Sequence, residues 1–143
     1  MSSSGGDGVR ADCCYNSLFD RLWLVGNGIS LYVCYEDPRI QSCNIVYNQK
    51  NGIRLEGCHD IVVSANQLEE NFEEGLLAIN CANVTASGNN IDDHRGVGIV
   101  LEDTIGSTLS GNLSENSRVS SSRIATPTLF RRERSEVISR KVE

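Results

Sequence analysis

Apolar residues through the middle of the chain alternate with polar ones at a period of two, in short runs set apart by Gly, Asn, Asp and Glu. Ile53 and Leu55 make one run and Ile61 and Val63 the next, with turn formers between them. That period puts the apolar side chains on one face of an extended strand, whereas a helix needs them three and four residues apart. The runs themselves recur every 23 residues. Gly52-Ile53-Arg54-Leu55-Glu56-Gly57-Cys58 is answered by Gly75-Leu76-Leu77-Ala78-Ile79-Asn80-Cys81, then by Gly98-Ile99-Val100-Leu101-Glu102-Asp103-Thr104. The second half keeps step: Val63-Ser64-Ala65-Asn66-Gln67-Leu68, Ala86-Ser87-Gly88-Asn89-Asn90-Ile91, and Leu109-Ser110-Gly111-Asn112-Leu113.

A unit of this length cannot bury its own apolar face and must stack on its neighbours, so the repeat predicts a solenoid. Leucine-rich repeats share the period but need a Leu-x-x-Leu-x-Leu line, which is not there. Short strands joined by tight turns predict an all-β chain, a parallel β-helix of about five rungs. Gly28-Ile29-Ser30-Leu31 with Cys34, and Gly8-Val9-Arg10-Ala11 with Cys14, extend the register backwards. It predicts Val9, Ile29, Ile53, Leu76 and Ile99 in one file, beside Ala11, Leu31, Leu55, Ala78 and Leu101. Cys14, Cys34, Cys58, Cys81 and Thr104 form a second file, and Asp20, Asn44, Asn66, Asn89 and Asn112 a third, with Leu22, Val46, Leu68 and Ile91 two residues on. Stacked asparagines can pass amide hydrogen bonds from rung to rung, and Asn tolerates the left-handed backbone of a sharp corner.

The line Gly-Ile-x-Leu-x-x-Cys-x-x-Ile-x-Val-x-x-Asn-x-Leu, running through residues 8–117, resembles the right-handed parallel β-helix repeats of the pectin-lyase-like superfamily, which include NosD-type and carbohydrate-binding or sugar-hydrolase domains. The resemblance implies the fold. It leaves function open, because lyases, hydrolases, epimerases, adhesins and accessory proteins all use it.

The chain carries a net charge of −6, unevenly placed: residues 1–117 hold 16 of the 19 acids and 6 of the 13 bases, a net −10, and the tail is basic. An acidic body argues against nucleic acid as a partner. No run is long and apolar enough for a membrane span, and no signal peptide is visible before Gly8; the compartment is undetermined, secreted or periplasmic if the chain belongs to a longer protein. Of the six cysteines, Cys14, Cys34, Cys58 and Cys81 recur with the rung and read as small core fillers, no C-x-x-C pair suggests a metal site, and Cys13 and Cys43 fall off the file.

Candidate chemistry sits in the turns. Asp92-Asp93-His94-Arg95 combines carboxylates, an imidazole and a cation, the ingredients of polysaccharide cleavage or epimerisation. It resembles the Asp-Pro-His-Glu line of alginate epimerases and the Asp-Asp pair of polygalacturonases, without the Pro, the following acid or the partner motifs of either. Glu69, Glu70, Glu73 and Glu74 occupy the same turn one rung earlier, and such stacked carboxylates suit Ca²⁺ as well as sugar chemistry. Tyr35 and Tyr47 are candidate stacking platforms for sugar rings, Tyr35 on the insertion Tyr35-Glu36-Asp37-Pro38-Arg39. His59 beside Asp60 reads as a turn. Residues 1–7 are expected to be disordered, Ser117–Ser122 to be a linker, and the basic tail from Thr126 to be a helical cap or disordered.

The reading that follows is a β-helix module that binds carbohydrate or serves a structural role, with polysaccharide as the expected partner and no required cofactor. It is expected to belong to a larger protein with further rungs, or to associate through its open ends. The alternatives are a fragment of a polysaccharide lyase, glycoside hydrolase or uronate epimerase and, weaker because the chain has two histidines and one methionine, a NosD-like metal accessory role.

Overall fold

The computed structural model describes residues 5–115, 119–122 and 129–130. Val9–Asp12, Leu18–Asp20 and Trp23–Val25 (β1–β3) make the first coil, and Leu31–Cys34, Arg39–Gln41 and Asn44–Val46 (β4–β6) the second. Ile53–Glu56, His59–Ser64 and Gln67–Glu69 (β7–β9) follow, then Leu76–Ile79, Ala82–Ser87 and Asn90–Asp92 (β10–β12), then Ile99–Glu102, Thr108–Ser110 and Leu113–Glu115 (β13–β15). Val119–Ser122 and Leu129–Phe130 (β16, β17) begin a sixth. All pairings are parallel, in three sheets ordered β1-β4-β7-β10-β13-β16, β2-β5-β8-β11-β14-β17 and β3-β6-β9-β12-β15. The chain is a parallel β-solenoid, as the repeat predicts.

Between the sheets lies one core. Leu31, Ile53, Leu76 and Ile99 stack on the first sheet, Ile40, Val63, Ala86 and Leu109 on the second, and Leu24, Ile45, Leu68 and Ile91 on the third, all fully or almost fully buried. Each coil turns at three corners under one local rule: a residue with left-handed backbone, then a residue that turns inward. At the first corner the left-handed residues are Cys13, Tyr35, Gly57, Asn80 and Asp103, at the second Arg21, Ser42, Ala65, Gly88 and Gly111, and at the third Gly26, Tyr47, Glu70 and Asp93, with φ between 48° (Asp103) and 72° (Gly26). The ladder asparagines are therefore not the left-handed residues; each follows one.

The inward residues of the second corner form the expected asparagine ladder from coil three onward. Asn66 donates its backbone N–H and its side-chain amide to Asn89 Oδ1, both at 3.0 Å, and Asn89 does the same to Asn112 Oδ1 at 3.0 and 2.9 Å. Earlier coils depart from the sequence register. Cys43, not Asn44, donates its backbone N–H to Asn66 Oδ1 at 2.9 Å, while Asn44 lies beside Gln67 and Asp20 beside Gln41. On the first sheet Leu31 pairs with Ile53 and Val33 with Leu55, so Ile29 is outside the file and Cys34 lies beside Glu56. The inward position under Cys58 belongs to Glu36, whose carbonyl accepts from the His59 N–H, and Cys14 lies below that. Coil two is one residue short around Pro38, and anchoring on Gly28 shifted the register by two.

A second ladder, at the third corner, was not foreseen. Asn27 donates its N–H to Asn48 Oδ1 at 2.8 Å, Asn48 donates N–H and amide to Asn71 Oδ1 at 3.1 and 2.8 Å, and Asn71 donates its N–H to His94 Nδ1 at 3.1 Å. This ladder explains the glycines that open coils three and four. A Cβ on Gly75 would stand 2.6 Å from His94 Nε2 and 2.8 Å from the Gly98 carbonyl oxygen, and one on Gly52 would stand 2.9 Å from Asn71 Nδ2.

Val119–Ser122, expected as linker, instead pairs in register with Ile99–Glu102, because the open edge of β13 offers its backbone groups to the next stretch of chain. Leu129–Phe130, expected in a helical cap or a disordered tail, is a strand paired with Thr108–Leu109. Thr126, Pro127 and the remaining tail lie outside the described residues, as do residues 1–4; Gly6 accepts the Gly28 N–H at 2.8 Å.

Candidate functional site

The third corner carries a groove of about 300 Å³ along the solenoid axis. Two files of side chains line it. Tyr47, Glu70 and Asp93 are the left-handed residues of coils two to four, and Gln49, Phe72 and Arg95 lie two residues further on in each coil, with Asn48 and Asn71 of the buried ladder as the floor. Left-handed backbone directs the first file outward, and the ladder fixes the corner that presents both.

Tyr47 and Phe72 are 58% and 54% exposed. The Arg95 guanidinium lies 4.3 Å from the Phe72 ring centroid, a cation–π contact that holds both side chains across one coil step. The Tyr47 phenol hydrogen-bonds the Glu70 carboxylate, which raises its pKa because the phenolate would lose that bond and face the acid. Asp92 Oδ1 accepts the Asp93 N–H at 2.9 Å and braces the turn. The groove thus offers two aromatic surfaces, two carboxylates and one guanidinium on a rigid frame.

Of the residues singled out by sequence, Tyr47, Glu70, Asp93 and Arg95 come together here. Glu69 and Asp92 sit one above the other on the flanking sheet edge. Glu73 is exposed beyond the groove, and Glu74 accepts the Asn51 side-chain amide at 2.6 Å. Tyr35 lies at the first corner, its ring against Gly57. His94 is inside: it is 5% exposed, its Nδ1 accepts from Asn71, and burial lowers its pKa. The expected grouping Asp92-Asp93-His94-Arg95 is therefore split between exterior and core, since adjacent residues at a corner face opposite ways. Phe72 and Gln49 were missed; counting back 23 residues from Arg95 reaches Phe72.

The first corner holds a different chemistry. Cys58 and Cys81 occupy the same inward position on consecutive coils, 2% and 3% exposed. Each sulfur leans toward the coil below: Cys58 Sγ donates to the Val33 and Glu56 carbonyls, each at 3.5 Å, and Cys81 Sγ to those of Leu55 and Ile79 at 3.7 and 3.3 Å. The neighbouring thiol holds the Cys58 pKa below its ordinary value and, with burial, raises that of Cys81. On the next coil Thr104 takes the same place, donating its hydroxyl to Glu102 and Ala78 carbonyls at 3.0 and 3.4 Å. An open depression of about 460 Å³ outside this corner is lined by Cys58, Cys81, His59 and Asp103 among others. His59 itself is exposed, 3.3 Å from Asp60.

Fold and repeat define a β-solenoid repeat protein. Residues 20–123 match the family described as Periplasmic copper-binding protein (NosD), and the chain belongs to that family. No curated protein and no solved structure matches it significantly. Among the described residues, no group of three or more His, Cys, Asp and Glu side chains is placed to hold a metal ion. A hard or borderline cation would need such a group. The stacked thiols form a two-donor soft set of the kind that selects Cu(I).

Proposed function

We propose that this NosD-family β-helix module binds polysaccharide along the third corner. The observation that carries the reading is the pairing of two half-exposed aromatic rings, Tyr47 and Phe72, with Glu70, Asp93 and Arg95 in one groove. The apolar C–H face of a pyranose covers an aromatic ring, and its hydroxyls find carboxylate acceptors and a guanidinium donor beside it. Successive coils rise by about 4.8 Å, close to the length of one sugar residue, so a linear chain laid along the axis meets equivalent positions at each step. Charge selects the class of glycan. Two carboxylates face one guanidinium, which Phe72 already engages, on a body of net −10 over residues 1–117; a polyuronate is repelled and a neutral polysaccharide is favoured.

Calorimetry or affinity electrophoresis against neutral glucans, mannans and polyuronates tests this. A neutral polymer is bound, and Tyr47→Ala or Phe72→Ala each weakens it roughly tenfold, the value of one aromatic contact. Absence of binding to every neutral polymer, or binding that ignores both substitutions, ends the reading. The enzymatic alternative acts from the same edge through Glu70 and Asp93, with no imidazole among the groove's residues. Release of reducing ends or unsaturated uronates, lost in Asp93→Ala, supports it.

A second reading carries the copper of the family description to this chain. The observation favouring it is the stacked thiol pair at the first corner, well separated in the coil from the sugar groove.

A further inference from the structure

We propose that Cys58 and Cys81 together form a two-coordinate site for Cu(I), reached through the depression beside the first corner. The inference rests on the copper reading for the identity of the ion and deepens it with the ion's coordination and its route of access.

The geometry comes from the solenoid itself. His59 and Ala82, the residues after the two cysteines, are register partners, so the cysteines are one coil step apart, about 4.8 Å for paired strands. Both side chains leave the same corner in the same direction, each sulfur leaning toward the coil below, so the two sulfurs stack one coil step apart. Two thiolates stacked one strand spacing apart match the low coordination number and soft-donor preference of a cuprous ion. Binding exchanges the two thiol protons for the metal and involves no electron transfer.

Other cysteines are less suited. Cys13 and Cys14 are both exposed, and both sulfurs are engaged by Asp12. Cys34 and Cys43 lie on different faces of the coil, the first sheet and the second corner. Glu36, directly beneath Cys58, is fully buried with neither carboxylate oxygen hydrogen-bonded within 3.5 Å. It adds an unsatisfied polar group at the lower end of the thiol file, where a protein core ordinarily allows none without a purpose. Access is from outside: Gly57, His59, Asn80 and Asp103 rim the depression, and His59, exposed and next in sequence to Cys58, is placed to receive the ion first.

Thr104 supplies the means of testing this without unfolding the chain, because a threonine already fills the equivalent position one coil on. Reduced full-length protein is titrated anaerobically with Cu(I) held by bathocuproine disulfonate. Loss of the chelator complex, growth of an ultraviolet thiolate-to-copper band and native mass spectrometry give affinity and stoichiometry. One Cu(I) per chain is expected in the wild type and in Cys13→Ser/Cys14→Ser. Cys58→Thr and Cys81→Thr, with circular dichroism melts showing them folded, each lose at least about 100-fold in affinity, the upper range for disturbing a metal's environment. If both threonine variants bind as the wild type does, or binding vanishes with Cys13 and Cys14, the assignment is overturned while the copper reading survives. If no variant and no wild-type chain takes Cu(I) from the chelator, both fall.

Discussion

His94 shows how one position on a coil is decided by its neighbours and not by its own chemistry. Next to two aspartates and an arginine it has the company of a catalytic imidazole, yet its position 23 residues after Asn71 puts it on the axis of a buried ladder. There the ring substitutes for an asparagine carboxamide: Nδ1 is the acceptor that Asn71 requires. The neutral ring suits that task and the protonated ring abolishes it. Burial holds the folded-state pKa below the ordinary histidine value of about 6.5, so the folded chain binds fewer protons than the unfolded one as pH falls through and below that value. The stability supplied by neutral His94 is complete above pH 6.5 and is lost on acidification. His94→Asn restores the residue used at positions 48 and 71. The expected result is stability within about 1 kcal/mol of wild type at pH 7.5 and greater than wild type at pH 5, read from urea unfolding at the two values. Parallel loss in both proteins would mean that His94 is not the group that titrates.

At the scale of the strand and corner, each ladder links coils that otherwise touch through apolar contacts and backbone pairing. Asn89 is the middle member of the second-corner ladder: it accepts from the Asn66 N–H and amide, and donates to Asn112 Oδ1 and the Val63 carbonyl. Asn89→Ala strips the acceptor from two buried donors and is expected to cost about 2–4 kcal/mol. Asn90→Ala, one residue on and outside the core, costs no more than about 0.5 kcal/mol. Equal midpoint shifts for the two in urea would remove the ladder from the account of stability. From Gly52 to Asn112 these elements were legible in the sequence, because insertion-free coils carry Gly, Cys or Thr, and Asn to equivalent places. Coil two was misread because Gly28 and Cys34 imitate the repeat two residues out of phase, while Ser30 and Glu36 hold the true positions. The third-corner ladder is harder to read because Asn27 stands 21 residues before Asn48, out of the 23-residue period, and His94 takes the fourth place. The groove was half legible: Tyr47, Glu70, Asp93 and Arg95 stood out as chemistry, but only the corner geometry shows that Phe72 joins them and His94 leaves.

Across the whole molecule, stability is distributed along one dimension, because a coil touches only the coils above and below it. Coils three and four have neighbours on both sides, and their inward residues Leu55, Ile61, Leu76, Ala78 and Val84 are fully buried. In the first coil Val9, Ala11, Phe19 and Leu22 are only partly buried, and Tyr15, Leu18 and Trp23 expose large apolar surface at 77%, 60% and 67%. Among the described residues no strand pairs with the outer edges of β1, β2 and β3. Opening of coil one therefore exposes less new apolar surface and breaks one interface where opening of coil four breaks two. Hydrogen exchange should reflect that gradient: amides of β7, β8, β10 and β11 exchange only through global unfolding, with the full sensitivity to urea, while those of β1 and β2 exchange by local opening that urea scarcely accelerates. Mass-resolved exchange on peptic fragments measures both. If β2 proves as protected as β11 and equally sensitive to urea, the coils open as a single cooperative body and the nearest-neighbour description does not hold for this solenoid.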